Sequence, residues 1–263
     1  MSIDNQTNDN QTGQERDWFA TAPGIYLQEK EQALFDEAVF NIFGFNAVQI
    51  GLLGIDVLRN SRIPYAYHAD VSKGQLQCDS TQLPFQSNSI DLLVMPHGLD
   101  FSQYAHETLR EAERVLVPEG YVIITGFNPF SCWSLKRLLR KRKGYPWNAH
   151  FLTLLRIKDW LALLGLELVS TRMTCYSPPF NSPKWLRRFA FMDKIAGKWW
   201  PMMGGVYFLV AQKRVVNMRP IKPNWKNPKL KARLATAPTQ TSQAQEYQIQ
   251  ENQTQHTTEA DEK

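Results

Sequence analysis

"CDSTQLPFQSNSIDLLVMPHGLD", residues 78–100, decides how the rest of the chain is read. An acid, Asp79, opens it, a Leu-Pro-Phe follows, and a polar turn leads into the apolar run from Ile90 to Met95. A continuous apolar run of this length between turn signals is how a strand buried on both faces of a parallel sheet reads. It stops at Pro96-His97-Gly98. Proline and glycine there predict a sharp turn out of the sheet, with His97 and Asp100 carried to the strand's carboxyl end.

Upstream, residues 25–43 carry apolar side chains at near-helical spacing (Ile25, Leu27, Ala33, Leu34, Ala38, Ile42) and stop at Gly44, a helix-ending signal. Residues 47–51 read as a short buried strand, 52–60 as a brief helix, 63–68 as a second strand and 75–79 as a third. Downstream, 103–116 form an amphipathic helix whose apolar face holds Tyr104, Thr108, Leu109, Ala112, Val115 and Leu116, ended by Pro118-Glu119-Gly120. Residues 121–127 are a buried strand, 130–147 start a helix after Pro129, and 151–164 form another helix closed by Gly165. Residues 167–175 and 204–214 supply two last strands around an aromatic, basic insertion at 176–203. Strands alternating with helices define an α/β fold with a mainly parallel sheet, and two consecutive final strands suit an antiparallel strand at its edge.

The chain has 263 residues, 43% hydrophobic and 12% aromatic, enough for a substantial core. Both ends are polar: 1–16 and 217–263 lack the apolar side chains that offset ordering entropy, and they read as disordered segments flanking one domain over 17–216. Cys78, Cys132 and Cys175 are widely spaced, an odd number with no metal-type spacing, so neither a disulfide framework nor a metal site is expected. No signal segment or membrane-length apolar run is seen, and the expected location is cytoplasmic.

The net charge of +5 is concentrated. Lys136 to Lys143 reads KRLLRKRK, and Lys213 to Arg233 holds eight basic residues and no acid. Such segments, with the tryptophans of 176–203, suit RNA, an anionic membrane surface or a lid over a substrate, and equally a solvated face.

Two segments carry a family resemblance. "CDSTQLPFQSNSIDLLVMPHGLDF" followed by "LREAERVLVPEGYVIITGFNP" resembles the class I S-adenosylmethionine-dependent methyltransferases of the type 11 group, over roughly residues 47–130. Ile90-Asp91 fills that group's Phe-Asp-like pair, and Arg114-Val115-Leu116-Val117-Pro118-Glu119-Gly120 its helix end. The resemblance implies a Rossmann-like three-layer sandwich, S-adenosylmethionine as cofactor, and methyl transfer to an acceptor that the sequence does not identify. In such a sheet, ligands sit outside the carboxyl ends of the strands. The implied cofactor residues are Gln49, Gly51 and Gly54 after strand one, Asp70 for the ribose, Asp79 and Ser80 for the adenine, and Met95 and Pro96 at the end of the apolar run. His97 is the candidate general base, with Asp100 beside it; a structural histidine in the turn is the other reading, since methyl transfer proceeds largely by positioning.

Two departures set expectations of their own. Gln49 stands where the group has an acid, and Leu52 and Leu53 stand in the glycine loop, where they would crowd the methionine moiety. Only six residues separate His68 from Gln75, too few for a crossover helix. A catalytically impaired fold that binds RNA or a membrane surface is therefore the alternative function.

Overall fold

The computed structural model describes residues 14–52, 54–71, 74–140, 144–189, 191–193 and 200–214, all within one compact unit, Met1–Asn217. The polar tail expected from 217 onward, residues 1–13, Leu53 and the basic residues 141–143 lie outside the described residues.

Seven strands form one sheet: β1 (Asn46–Ile50), β2 (Tyr65–Asp70), β3 (Leu76–Gln77), β4 (Ile90–Pro96), β5 (Leu116–Phe127), β6 (Leu166–Thr174) and β7 (Val206–Lys213). Their order is β3-β2-β1-β4-β5-β7-β6. The strands from β3 to β5 pair in parallel, whereas β7 runs antiparallel to both β5 and β6. The edge strand β6 is thus antiparallel to its neighbour, and the reversed strand sits one place inside the rim.

The central strands alternate their side chains between two cores. Ala47, Leu92, Val94 and Ile123 face one and Val48, Leu93, Met95 and Ile124 the other, the period-two signature of a sheet covered on both faces. On the first face lies α2 (Ala22–Phe40), started by the Thr21 hydroxyl accepting from the Gly24 amide at 3.4 Å, with Pro23 in the first turn. Its buried stripe is Leu27, Glu31, Phe35 and Val39. This stripe differs in phase from the expected one, and Ile25 is exposed. On the second face lie α4 (Ala105–Val115), burying Thr108, Leu109, Ala112 and Val115, and α6 (Leu154–Leu163), burying Leu154, Ile157 and Leu161. Tyr104 is exposed, and Leu116 already belongs to β5. The helix α3 (Gly98–Phe101) follows β4, α5 (Cys132–Arg140) follows β5, and α7 (Pro183–Phe189) lies in the insertion.

Three expectations change. Residues 14–19, at the start of the described chain, form the helix α1, and Trp18 packs edge-on to Trp133 at 6.1 Å and Tyr145 at 5.5 Å; the domain begins before residue 17. Residues 54–60 form turns rather than a helix. Soon after β2 ends, Leu76 already pairs with Ala69 and Gln77 with Asp70. A helix is needed when a crossover must travel the length of a strand. Here β3 exists only beside the last two residues of β2, so the return is short.

The motif residues outside the cleft are structural. Asp91 Oδ2 accepts from the Phe45 and Asn46 amides, both at 2.9 Å, tying the start of β1 to β4. A side chain at Gly44 would meet Asp91 Cβ at 2.3 Å. Arg114 donates to the Leu83 and Phe85 carbonyls, each at 3.0 Å, and so clamps the Leu-Pro-Phe turn.

Candidate active site

The carboxyl ends of β1, β2 and β4 border a cleft of about 190 Å³ that opens to solvent. Its walls include Gly51, Asp70, Cys78, Ser80, Pro96 and His97. Glu15 of α1 closes it from one side, and Phe101, Tyr145 and Asn148 from another. A concave site at this rim is where an open α/β sheet binds its ligand.

The first turn is built around Gln49. This side chain is fully buried, and its amide nitrogen donates to the carbonyls of Gly51 (3.3 Å), Leu52 (3.1 Å) and Ile55 (2.7 Å). Its oxygen accepts from the Val57 amide at 3.2 Å. A carboxylate would turn acceptor oxygens toward three carbonyls, so an amide is the side chain this loop can use. Gln49 therefore shapes the loop and does not line the cleft. Gly51, at φ 75°, has open space where a Cβ would stand, so backbone is presented directly to a ligand. Leu52 also takes a positive φ, 49°, which costs a residue with a Cβ about 1 kcal/mol or more. Its side chain is buried in the first core, so it forms a wall of the cleft instead of plugging it. Gly54 is exposed and outside the lining.

Asp70 reaches the cleft at the end of β2, and Ser80 lines it with its hydroxyl 3.3 Å from that of Thr108. Asp79 goes elsewhere: it is exposed, its Oδ1 accepts from the Thr81 amide at 2.9 Å, and its carbonyl accepts from Gln82 at 3.0 Å. It is a turn residue in this arrangement. Met95 is buried in the second core, so only Pro96 of that pair faces the cleft.

His97 takes the left-handed conformation at φ 53°, one that histidine tolerates better than most side chains. Its ring is 1% exposed and stacks on Phe127 at 4.2 Å. Nδ1 lies 3.0 Å from Asp100 Oδ2 and Nε2 lies 3.0 Å from Glu31 Oε1. Burial opposes a charged imidazole; the Glu31 carboxylate, hydrogen bonds to Asp100 and Glu31, and the Asp100 charge outweigh it and push the pKa up to about 10. An imidazolium held by two carboxylates has no lone pair to receive a proton. Asp100 is fully buried, also accepts from the Phe127 amide at 2.8 Å, and lies behind His97 without lining the cleft. Burial raises its pKa, against the pull of the His97 charge and its hydrogen bonds to His97 and the Phe127 amide.

Glu31, Glu15 and Tyr145 were not anticipated as site residues. Glu31 had a signal: it stands in the i, i+4 stripe of Leu27, Phe35 and Val39, an acid on a core-facing row. Glu15 is held up to about 7 by burial first and by the Asp70 carboxylate second. The Tyr145 hydroxyl is buried with no hydrogen-bond partner; only the tertiary fold brings it here. The basic residues at the start of the KRLLRKRK run turn to internal partners: Lys136 donates to the Pro179 carbonyl, and Arg137 lies 4.7 Å from the Phe151 ring centroid.

Comparison with known proteins agrees with this geometry. Residues 50–124 match the model of a methyltransferase domain family. The uncharacterized protein YafS of Escherichia coli (strain K12) is 30% identical over 197 residues, covering 72% of this chain and 78% of YafS. A S-adenosylmethionine-dependent methyltransferase of Thermotoga maritima superposes with a TM-score of 0.55 at 16% identity, over 77% of this chain and 96% of that one. A chain of the Haloferax volcanii complex containing the Trm112 methyltransferase activator gives 0.50 at 13% identity, over 78% of this chain and 99% of its own. Sheet order, cleft position and matched segments define a class I α/β transferase fold. The chain belongs to the class I S-adenosylmethionine-dependent methyltransferase family, type 11 group.

Proposed function

We propose that the protein transfers a methyl group from S-adenosylmethionine to an acceptor bound in the same cleft. The observation that supports this most is the pairing of open backbone at Gly51 with the Asp70 carboxylate across one rim. These residues fit the cofactor: Asp70 suits the two ribose hydroxyls, Cys78 and Ser80 border the adenine end, and Gly51 with Pro96 flanks the methionine end. When bound, the cofactor supplies an electrophilic methyl group. The protein's part is to hold the acceptor in line with it and keep water out, which Leu52 and Phe101 do from two walls.

In this reading His97 is a positioning residue. Its cationic ring, pinned by Glu31 and Asp100, fixes the turn that ends β4. Where the acceptor must lose a proton, Glu15 is the group suited to take it, a carboxylate in the lining with a pKa near neutrality. Among the described residues the carboxylates of the lining are Glu15 and Asp70, which suit an uncharged or cationic acceptor. The alternative, a catalytically impaired fold that binds RNA or a membrane surface, gains little from Lys136 and Arg137, whose charges meet internal groups.

Calorimetric titration with S-adenosylmethionine and with S-adenosylhomocysteine tests the proposal. Saturable binding of both is expected, and lost or strongly weakened binding in Asp70→Asn. Absence of any heat with either compound at millimolar concentration overturns it.

A further inference from the structure

Helix α5 is turned inside out relative to an ordinary surface helix. Its Trp133 is fully buried and donates to the Ser177 carbonyl at 3.1 Å. On the opposite side, Leu135, Leu138 and Leu139 are 54%, 74% and 73% exposed. These three lie at i, i+3 and i+4, one continuous stripe. The residues that should face water go inward: Lys136 reaches the Pro179 carbonyl and Arg137 the Phe151 ring. A helix that turns Lys136 and Arg137 to internal partners and offers aliphatic carbon to solvent has an outer face built for something less polar than water.

The surroundings indicate what. Phe130, just before α5, is exposed, and so is Met202, whose carbonyl accepts from Asn128 at 2.8 Å. On the other flank, Pro179 and Asn181 meet Lys136, and the chain runs on into α7, where Trp185 is half exposed. Lys184, Arg187 and Arg188 of α7 are exposed, with the Arg188 guanidinium 5.8 Å from the Trp185 ring centroid. Between Glu119 and Asp159, and between Glu167 and Asp193, the sequence contains no acid.

We infer that the α5–α7 surface docks the protein on an anionic lipid bilayer. Exposed leucines inserted at the acyl boundary, a tryptophan at headgroup depth and a border of Lys and Arg are the composition that adsorbs there. RNA would match the cations and leave the aliphatic stripe without a partner. A second copy would cover the stripe while bringing two all-basic borders together. The inference stands apart from methyl transfer and does not depend on it.

Co-sedimentation of the full chain with vesicles tests it, using phosphatidylglycerol–phosphatidylcholine mixtures against pure phosphatidylcholine. The unaltered protein is expected to partition onto the anionic vesicles, less so as salt rises. The triple variant Leu135→Gln, Leu138→Gln, Leu139→Gln should partition at least tenfold more weakly with an unchanged melting temperature. Lys184→Gln, Arg187→Gln, Arg188→Gln should lose the preference for anionic over neutral lipid. Three results overturn the inference: no binding to anionic vesicles by the unaltered protein, undiminished binding by the leucine variant, or a dimer of the unaltered protein that the leucine variant converts to monomer.

Discussion

His97 Nε2 meets Glu31 Oε1 at 3.0 Å, joining the turn after β4 to the middle of α2 across 66 residues of chain. The contact is buried on both sides, and the buried Tyr207 hydroxyl lies beside Asp100. Removing the cation of such a group leaves two buried carboxylates without a counter-charge, which costs about 3–5 kcal/mol. His97→Gln is expected to lose stability of that order in urea unfolding, and Glu31→Gln, which leaves the His97–Asp100 pair in place, less.

The same ring sets a pH dependence. His97 is raised from its ordinary 6.5 to about 10, so its contribution is complete below about pH 6.5 and disappears as pH climbs toward 10. Asp100, raised by burial from its ordinary 3.8, has the same sign, with a window of its own that opens at that lower value. Unfolding free energy should fall over the His97 window by up to about 1.4 kcal/mol per pH unit for one proton. Melting curves between pH 6 and 10 check this; a profile as steep in His97→Gln as in the unaltered protein contradicts the assignment.

Glu15 gives a second, lower window. Its pKa rises from 4.5 to about 7, so the folded state again holds the proton more tightly, and stability declines from about pH 4.5 to 7. Glu15→Gln should flatten that segment and leave the segment above pH 7 intact. In a methyl-transfer assay the same substitution should remove a rise in rate with pH near 7.

Gln49 is predicted to matter more for folding than for ligand contact. Gln49→Ala strands three carbonyls and an amide in a buried loop, at a cost of about 1–3 kcal/mol for each group that water cannot reach. Gln49→Glu restores the acid that the family motif has, yet faces it with three carbonyl oxygens. Its stability should therefore recover at acid pH, where the side chain can donate. Denaturant titrations at pH 5 and pH 8 separate the two substitutions.

Asp70 and Asp79 should part company. Asp70→Asn is expected to weaken cofactor binding about tenfold or more, the scale of a hydrogen bond to a charged group. Asp79→Ala loses a turn contact worth about 1 kcal/mol of stability and should bind the cofactor as before. Calorimetry on both variants decides which acid serves the ligand.

Much of this was written in local pattern. The apolar run at 90–95, the turn at 96–98 and the helix over 105–115 come from periodicity and turn chemistry, and so the cleft's rim was legible. Three things were not. Gln49 reads as a lost motif residue until the carbonyls of Gly51, Leu52 and Ile55 are seen around it. His97 reads equally as a general base and as a structural turn residue, because its partner Glu31 lies on a helix whose phase the sequence leaves open by a residue or two. Asp79 reads as a cofactor acid or as a turn residue, because turn acids and binding acids look alike in one dimension; its contact with the Thr81 amide appears only in the fold.

The five-residue passage between β2 and β3 carries one more lesson. Tyr65, Ala66 and Tyr67, in the half of β2 that β3 does not accompany, are all exposed, whereas Asp70 at the far end keeps its station. β2 is therefore an exposed edge strand over its first half and an interior strand only at the rim that holds Asp70, so the sheet reaches its full width where the cleft lies.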